Sequence, residues 1–343
     1  MLSVVVILGI TVTLVLQALR KEPEVLPTAT TDLSMLVTPV DFRTSVADIQ
    51  ISSGEPITLD NGYTFILEPW SGEGRFTILV MGIDRRPGET GLAFRTDTMM
   101  VISIDPDTKR IGILSIPRDL FVVISGYSER QRVNSAMALG EWRQAGYGPQ
   151  LAMQTVQGNL GIRIHDYMVV DFNAIIGLVD AIGGIDVTID YTINDSQYPD
   201  MYLGYDPFYL PAGTHHLDGV TALKFARTRH GNSDVDRAQR QQQVIYAIRD
   251  QVLDFNMLPQ LIIQAPTLLE TYRDNVYTGL SLQDMIELAW FAKDIPRDNI
   301  TTGVIDYRYV TNYETDNGSQ VLVPNNYTLG NLMVEVFGPN YSE

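Results

Sequence analysis

Arginine and aspartate side chains cluster in this sequence in a pattern that suits a phosphorylated ligand. The chain is acidic, with a formal net charge of -17, yet 20 of its 24 basic residues are arginine. Guanidinium groups bind phosphate oxygens in a planar, bidentate geometry that lysine cannot match. Carboxylates beside such arginines can hold the divalent cation that accompanies a pyrophosphate. The clustered residues are Arg85, Arg86, Arg95, Arg118, Arg227, Arg229 and Arg237, interleaved with Asp84, Asp97, Asp119 and Asp234.

The composition argues against several classes of function. An excess of 41 acidic over 24 basic residues disfavours nucleic acid as a partner, because binding to its backbone needs a broad basic surface. The chain has no cysteine, which excludes disulfides, cysteine catalysis and thiolate metal sites. Its four histidines show no metal-ligand spacing, and neither a Walker-type loop nor a Gly-x-Ser-x-Gly elbow is present.

The N-terminal segment Leu2–Leu19 is almost wholly apolar and carries no charge. As a helix it would extend ~27 Å, close to the thickness of the hydrocarbon layer. No Ala-x-Ala site follows, so we expect an uncleaved transmembrane anchor at residues 1–20 rather than a cleaved signal peptide. Arg20 and Lys21 follow the span, and the positive-inside rule alone would keep them cytoplasmic. We nevertheless expect the body to lie outside the membrane, on the evidence of the site and of the family resemblance given below.

The remainder of the chain predicts an α/β fold. Residues 21–74 look like a linker with some β structure, in which Asp60–Gly62 is a turn signal. From residue 75 to 305, continuous apolar runs such as Phe76–Ile83 and Arg110–Ile116 alternate with helical patterns such as Phe172–Ala181. Strands that are apolar on both faces indicate a sheet covered on both sides. We therefore expect an α-β-α sandwich with a central mixed sheet, and we leave residues 306–343 unassigned.

Charged residues follow the predicted strands at their boundaries. Asp84 and Arg85 come directly after the first buried strand, Arg95 and Asp97 open the second, and Arg118 follows the third. We expect these boundaries to meet at one edge of the sheet, where open α/β folds usually bind ligands.

Two further segments contribute to the predicted site. Arg227 and Arg229 would share one face of an extended segment. One face of a predicted helix would carry Arg237, Gln241, Val244 and Ile248. The polar end of this face could bind phosphate, and its apolar end could line a hydrophobic groove. Periodicity alone favours the plainer interpretation, a core helix whose first turn reaches solvent.

Several sequence blocks, taken in order, resemble the LytR–CpsA–Psr (LCP) family of bacterial cell-wall proteins. The similarity runs from about Phe76 to Val244 and ends with Asp234, Arg237 and the pair Arg240-Gln241. The blocks are ILVMGID at 78–84, RTDTMM at 95–100, SIPRD at 115–119, VNSA at 133–136, DAIGGIDV at 180–187, LDG at 217–219 with AL at 222–223, and ARTR at 226–229.

The resemblance implies a single-pass membrane protein whose extracytoplasmic domain binds polyprenyl-pyrophosphate-linked glycopolymers in an apolar pocket. Family members transfer such polymers onto peptidoglycan as a phosphodiester. By resemblance, Asp84 and Asp97 are the acidic pair associated with Mg²⁺ (or Mn²⁺). The implied pyrophosphate-binding set is Arg95, Arg118, Arg227, Arg229, Arg237 and Gln241, to which Arg85 adds a contact if it does not point outward.

For transfer chemistry we assign Asp97 as the first candidate for general base and Arg118 as a charge-stabilising residue. Two alternatives use the same residues. One is a phosphatase that hydrolyses polyprenyl pyrophosphate with water as acceptor. The other is a non-catalytic envelope protein that only binds a lipid-linked anionic polymer.

Overall fold

The structure, a computed structural model, describes residues 51–342 apart from positions 69, 71–73, 87, 201, 203, 229–233 and 255. Strands and helices alternate along most of this part of the chain. The helices are α1 (Ser135–Arg143), α2 (Gly148–Leu160), α3 (Phe172–Ala181), α4 (Gly219–Arg227), α5 (Asp234–Asp254), α6 (Leu258–Ile263), α7 (Ala265–Thr271), α8 (Leu282–Ala292) and α9 (Asn326–Phe337). The strands are β1 (Pro56–Thr58), β2 (Thr64–Ile66), β3 (Phe76–Ile83), β4 (Thr96–Asp105), β5 (Arg110–Ile116), β6 (Phe121–Val123), β7 (Arg130–Arg132), β8 (Asp166–Val170), β9 (Ile185–Ile189), β10 (Ile193–Asp195), β11 (Phe208–Leu210), β12 (Gly213–Leu217), β13 (Val276–Thr278), β14 (Ile300–Val304), β15 (Val310–Glu314) and β16 (Gln320–Pro324).

A mixed sheet of six strands forms the centre of the described chain, in the order β13-β8-β3-β4-β5-β14. The pairs β3–β8 and β5–β14 are parallel, and the pairs β13–β8, β3–β4 and β4–β5 are antiparallel. The predicted mixed sheet is thus confirmed. Strands β3 and β5 begin and end where the sequence predicts, because strands buried on both faces are apolar throughout and their runs are easy to delimit.

Alternate residues of each central strand pack into two separate hydrophobic cores, one on each face of the sheet. In β3, Ile78 belongs to the first core and Leu79 to the second, and in β5 the same holds for Ile113 and Leu114. Helices α3 to α8 cover the first face, and helices α1, α2 and α9 cover the second. The expected layered α/β architecture follows from this alternation.

Strand directions bring several strand ends to one edge of the sheet. Because β4 runs antiparallel to β3 and β5, its N-terminus lies beside their C-termini. Ile83 pairs with Thr96, and Met99 pairs with Ile116. The C-termini of β8 and β14 reach the same edge, because these strands are parallel to β3 and β5.

The segments outside the predicted core pack onto the domain. Strands β1 and β2 form a hairpin across the Asp60–Gly62 turn, and Ile57 and Leu67 are buried in the first core. At the other end, β15 and β16 form a second hairpin, and α9 buries Met333 and Phe337 in the second core.

The predicted transmembrane segment at residues 2–19 lies outside the described residues. Within the part of the chain that the structure describes, no helix is long and apolar enough to cross a membrane.

Candidate functional site

The sheet edge presents the acidic residues predicted from the sequence. Asp84 directly follows β3, and Asp97 is the second residue of β4. The pairing shifts between Gly82–Thr98 and Ile83–Thr96, so Asp97 is the extra residue of a β-bulge. A bulge leaves one residue out of the hydrogen-bonded ladder and changes the direction of its side chain. The bulge therefore explains how Asp97 can face a binding site at the end of the strand.

A cavity of about 540 Å³ opens at this edge and extends under the first face of the sheet. Its charged end is lined by Asp84, Asp97, Arg227 and Arg237. Its remaining walls come mostly from aliphatic side chains of β3, β4 and β8 and of helices α3, α4 and α5. These apolar residues include Val80, Met100, Ile102, Met168, Val170, Ile175, Leu178, Leu223, Val244, Ile245 and Ile248.

The length of the cavity can be estimated along two of its elements. Both Asp97 and Ile102 line it, and five residues of β-strand extend ~17 Å. Both Arg237 and Ile248 line it, and eleven residues of α-helix extend ~16 Å. The two estimates agree, so an apolar channel of this length runs inward from a charged mouth.

Helix α5 forms one wall of this channel. Arg237, Gln241, Val244 and Ile248 all line the cavity, so the face predicted from their spacing does form. The helix is held against the sheet because Gln241 Nε2 donates to Thr98 Oγ1 at 3.0 Å and Gln242 Nε2 donates to Ser115 Oγ at 2.9 Å. These bonds place buried Arg237 at the charged end of the cavity.

Arg227 contributes the second cationic side chain of the cavity mouth. It is the last residue of α4, so the extended conformation expected for it is wrong. Its guanidinium lies 3.8 Å above the ring centroid of Phe172, donates to Tyr198 Oη at 3.0 Å and to Asp84 Oδ2 at 3.3 Å. Burial raises the pKa of Tyr198 despite the opposing charge of Arg227, so its hydroxyl stays protonated. Arg227 is therefore oriented by groups on three sides.

Arg118 lies next to Asp97 at the same sheet edge. Its Nη1 donates to Asp97 Oδ1 at 2.9 Å, and its Nε lies 3.5 Å from Asp119 Oδ2. Arg132 Nε lies 2.9 Å from Asp119 Oδ1. The aspartates and arginines alternate, so each cation is held in place by a carboxylate before any ligand arrives.

Two other predicted arginines, Arg85 and Arg95, stand apart from this cluster. Arg85 is buried and points away from the mouth: its Nη2 donates to Asp171 Oδ2 at 2.6 Å and to the carbonyl of Asp274, and its Nη1 donates to Tyr277 Oη at 3.0 Å. Burial favours the neutral form, but these bonds outweigh it and raise the pKa of Arg85. Arg95 is exposed and is not among the residues lining the cavity, and Arg229 lies outside the described residues.

The acidic pair fits a hard divalent cation. Asp84 and Asp97 both line the charged end of the cavity, and carboxylate oxygens are preferred Mg²⁺ ligands. Asp84 Oδ1 is buried and lies 3.2 Å from Arg86 Nε, yet it accepts no well-aligned hydrogen bond from the described chain. Within the described residues no cluster of three or more metal-binding side chains occurs. That arrangement suits Mg²⁺, which is commonly held by one or two carboxylates together with substrate phosphates.

Asp171, Phe172 and Tyr198 line the cavity but were not predicted as site residues. Asp171 caps α3 by accepting from Ala174 N at 3.1 Å while it also binds Arg85. A capping residue before the predicted helix was a detectable signal for Asp171. For Phe172 and Tyr198 the sequence offers no comparable signal, because their roles depend on contacts with Arg227.

The geometry suits a ligand that is anionic at one end and apolar along the rest. Such a ligand would place its anion between Arg227 and Arg237 and its chain against the aliphatic walls. The cavity volume falls within the ~300–1,000 Å³ usual for small-molecule sites.

The chain is similar to several known proteins. The TagU protein of Oceanobacillus iheyensis, named as a polyisoprenyl-teichoic acid–peptidoglycan teichoic acid transferase, is 32% identical over 263 residues, 76% of this chain and 75% of that protein. The regulatory protein MsrR of Staphylococcus aureus is 30% identical over 215 residues, 62% of this chain and 58% of its own. A solved structure described as TagT bound to LIIa-WTA matches with a TM-score of 0.61 and 27% identity over 82% of this chain and 97% of that one.

The model of the LytR_cpsA_psr family matches residues 43–334, which is most of the chain. The match includes every strand and helix that lines the cavity. The chain therefore belongs to the LytR_cpsA_psr family.

Proposed function

We propose that this protein is a membrane-anchored transferase that moves a glycopolymer from a polyprenyl-pyrophosphate carrier onto peptidoglycan as a phosphodiester. The observation that carries the proposal is the apolar channel of ~16 Å that ends at Arg227 and Arg237. A polyprenyl chain matches the channel, and a pyrophosphate matches its mouth. The related TagU protein, named as a teichoic acid transferase, supports the same class of reaction.

In the proposed reaction, a hydroxyl oxygen of the acceptor attacks the phosphorus that carries the glycopolymer. A new phosphorus–oxygen bond forms to the acceptor, and the bond to the bridging oxygen of the pyrophosphate breaks. Polyprenyl phosphate leaves with the bond electrons. Such a transfer depends on positioning and on charge stabilisation more than on covalent chemistry by the protein.

The side chains at the mouth divide this work. Arg227 and Arg237 would neutralise the charge that develops on the departing phosphate. Asp97 would accept the proton of the attacking hydroxyl, with Arg118 holding its other oxygen at 2.9 Å. Asp84, with Asp97 beside it, would mainly hold Mg²⁺ or Mn²⁺, which supplies further charge neutralisation when bound.

The test uses full-length protein in detergent with a labelled lipid-linked donor, with and without peptidoglycan acceptor. We expect label to enter peptidoglycan, Asp97→Asn to lower the rate about 10²- to 10⁴-fold, and a chelator to suppress transfer. Rapid phosphate release that does not depend on acceptor would favour the phosphatase. Donor binding without turnover would favour the non-catalytic envelope protein.

We also propose that the body lies outside the cytoplasmic membrane, since its proposed acceptor lies there. Protease added to intact spheroplasts should digest the domain. Complete protection of the domain, with digestion only after lysis, would contradict this orientation.

A further inference from the structure

A second, smaller cavity of about 150 Å³ lies beside the first along the same sheet edge. The first cavity follows the ends of β8, β3 and β4, and the second follows the ends of β4, β5 and β14. Its outer wall is the β15–β16 hairpin, a part of the chain for which the sequence predicted no role. The hairpin is fixed there because Leu322 N donates to Asp119 O at 3.0 Å and Arg132 Nη2 donates to Gln320 O at 2.9 Å.

The two cavities share a wall made by Asp97, Thr98, Arg237 and Gln241. The proposed base and one proposed phosphate-binding arginine therefore face both spaces. In the proposed reaction the polyprenyl phosphate leaves toward the apolar channel. An in-line displacement needs the attacking oxygen on the side of the phosphorus opposite the leaving group. The second cavity borders the same wall as the channel and could supply that oxygen.

The lining of the second cavity differs in chemistry from the lining of the first. Its rim carries the carboxylates of Asp119 and Asp306 and the amides of Asn312 and Gln320, together with Tyr307, which is 59% exposed. Carboxylates, amides and an aromatic ring suit the hydroxyls and apolar faces of a sugar.

Each carboxylate of the rim is paired with an arginine. Arg132 binds Asp119 at 2.9 Å, and Arg308 binds Asp306 at 2.8 Å from the exposed side. The hydrogen bonds from Arg308 lower the pKa of Asp306, so this carboxylate stays ionised. Ionised carboxylates accept hydrogen bonds from neutral hydroxyls, so the rim suits a sugar.

We propose that the second cavity is the acceptor site, where an uncharged stretch of a glycan chain places a hydroxyl against the wall formed by Asp97 and Arg237. The inference rests on the proposed function, since it names where the second substrate of that reaction binds. It assigns the donor and acceptor to two adjoining pockets and gives the C-terminal hairpin a role in recognition.

The experiment compares two test variants, Asn312→Ala and Tyr307→Ala, with two control variants on strand β15. Thr311 and Tyr313 are also exposed on β15 but line neither cavity, so Thr311→Ala and Tyr313→Ala serve as controls. The probe is a soluble, uncrosslinked glycan strand of peptidoglycan, titrated into the full-length protein in the absence of donor. We expect glycan affinity to fall about 3- to 10-fold in the two test variants and to stay unchanged in the controls.

Steady-state kinetics, in which each substrate is varied while the other is saturating, provide the second measurement. The KM for the acceptor should rise in the test variants by the same factor, while the KM for the donor stays constant. Unchanged glycan binding in Asn312→Ala and Tyr307→Ala, or a change in donor KM instead, would overturn the acceptor site. If the wild-type protein transfers nothing but the binding pattern holds, the proposed function fails and the glycan site stands.

Discussion

Individual arginines of this protein are held in three different ways, and the differences predict different mutational effects. Arg227 and Arg237 line the charged end of the cavity. Arg85 is committed to a buried carboxylate, and Arg95 is exposed away from the cavity. Residue type and spacing alone did not separate these cases, because each arginine lies near a predicted strand or helix end.

Arg227→Ala and Arg237→Ala should each weaken binding of polyprenyl pyrophosphate about 10- to 150-fold. This range corresponds to the loss of one charge-assisted hydrogen bond of ~1.5–3 kcal/mol. Arg→Lys at either position keeps the charge but loses the planar fork, so it should recover only part of the affinity. The measurement is equilibrium binding of a fluorescent polyprenyl pyrophosphate to each variant after its circular dichroism spectrum has confirmed folding.

Arg95→Ala and Arg130→Ala are the controls for this comparison, since both side chains are exposed and line neither cavity. We expect their affinities to stay within about twofold of wild type, because exposed charges are screened by salt. Equal, small effects at all four positions would mean that the cavity mouth does not bind the pyrophosphate.

Arg85→Met should lower stability rather than ligand affinity. Arg85 and Asp171 have side chains only 6% and 2% exposed, so the substitution leaves a buried carboxylate without its cation. Breaking such a pair costs about 3–5 kcal/mol. Urea unfolding followed by circular dichroism measures the loss, and Arg273→Met is the control, because its pair with Glu270 is exposed and worth about 0–1 kcal/mol. Similar unfolding midpoints for the two variants would contradict a structural role for Arg85.

At the scale of elements, the sequence was most informative where burial is uniform. Helix α3 and strands β3 and β5 begin and end at the predicted residues, because apolar runs and flanking turn signals delimit them. Arg227, expected in an extended segment, lies instead in the last turn of helix α4, since that turn carries polar residues that read equally well as a loop. Short strands such as β15 and β16 could not be recognised from a segment with weak periodicity.

The positions of side chains within the site were less predictable than the elements that carry them. The partners of Arg85, which are Asp171 and Tyr277, lie 86 and 192 residues away in sequence. Whether Arg85 faces a ligand or the protein interior is therefore decided by tertiary packing. The face of α5 was predictable because it depends only on local periodicity, and its four predicted residues do line the cavity.

Gly219→Ala tests how closely the helices that wall the channel must pack. A Cβ atom at Gly219 would overlap the carbonyl oxygen of Ile176, which belongs to the backbone of α3 and cannot rotate away. Helices α3 and α4 would have to separate, at a cost of about 1–3 kcal/mol. Because both helices line the channel, we expect weaker donor binding together with a lower urea midpoint.

Gly158→Ala is the matched control for this element. Gly158 lies on the exposed face of α2, and a Cβ atom there has no neighbour within 4 Å in the described structure. Alanine favours the helix by about 0.5–1 kcal/mol, so this variant should be slightly more stable than wild type. Loss of stability at both positions, or at neither, would contradict the close helix contact.

At the scale of the whole molecule, the site joins segments from almost every part of the described chain. Strands β3, β4 and β8 lie at the centre of the sheet, α3 to α5 cover one face, and the C-terminal hairpin closes the edge. Ligand binding therefore depends on the global stability of the sheet. One contact that contributes to this stability joins β3 to His165, the residue that precedes β8.

His165 makes that contact sensitive to acid. The Nδ1 atom of its ring accepts a hydrogen bond from the backbone N of Thr77 at 2.9 Å, and the backbone N of His165 donates to the carbonyl oxygen of Thr77 at 2.8 Å. The first bond requires an unprotonated Nδ1. Burial, reinforced by the charge of Arg163, lowers the pKa of His165.

The unfolded chain, in which a histidine has a pKa of about 6.5, therefore takes up a proton at a higher pH than the folded protein does. The contribution of His165 to stability is complete above about pH 6.5 and is lost as the pH falls toward its lower folded pKa. His165→Gln keeps an acceptor for Thr77 but cannot be protonated, so its stability should fall less between pH 7 and pH 5 than that of the wild type. Urea unfolding at several pH values measures the difference, with His215→Gln, at a half-buried histidine of β12, as control. If the His165→Gln and wild-type curves run parallel over this range, His165 is not the source of acid sensitivity.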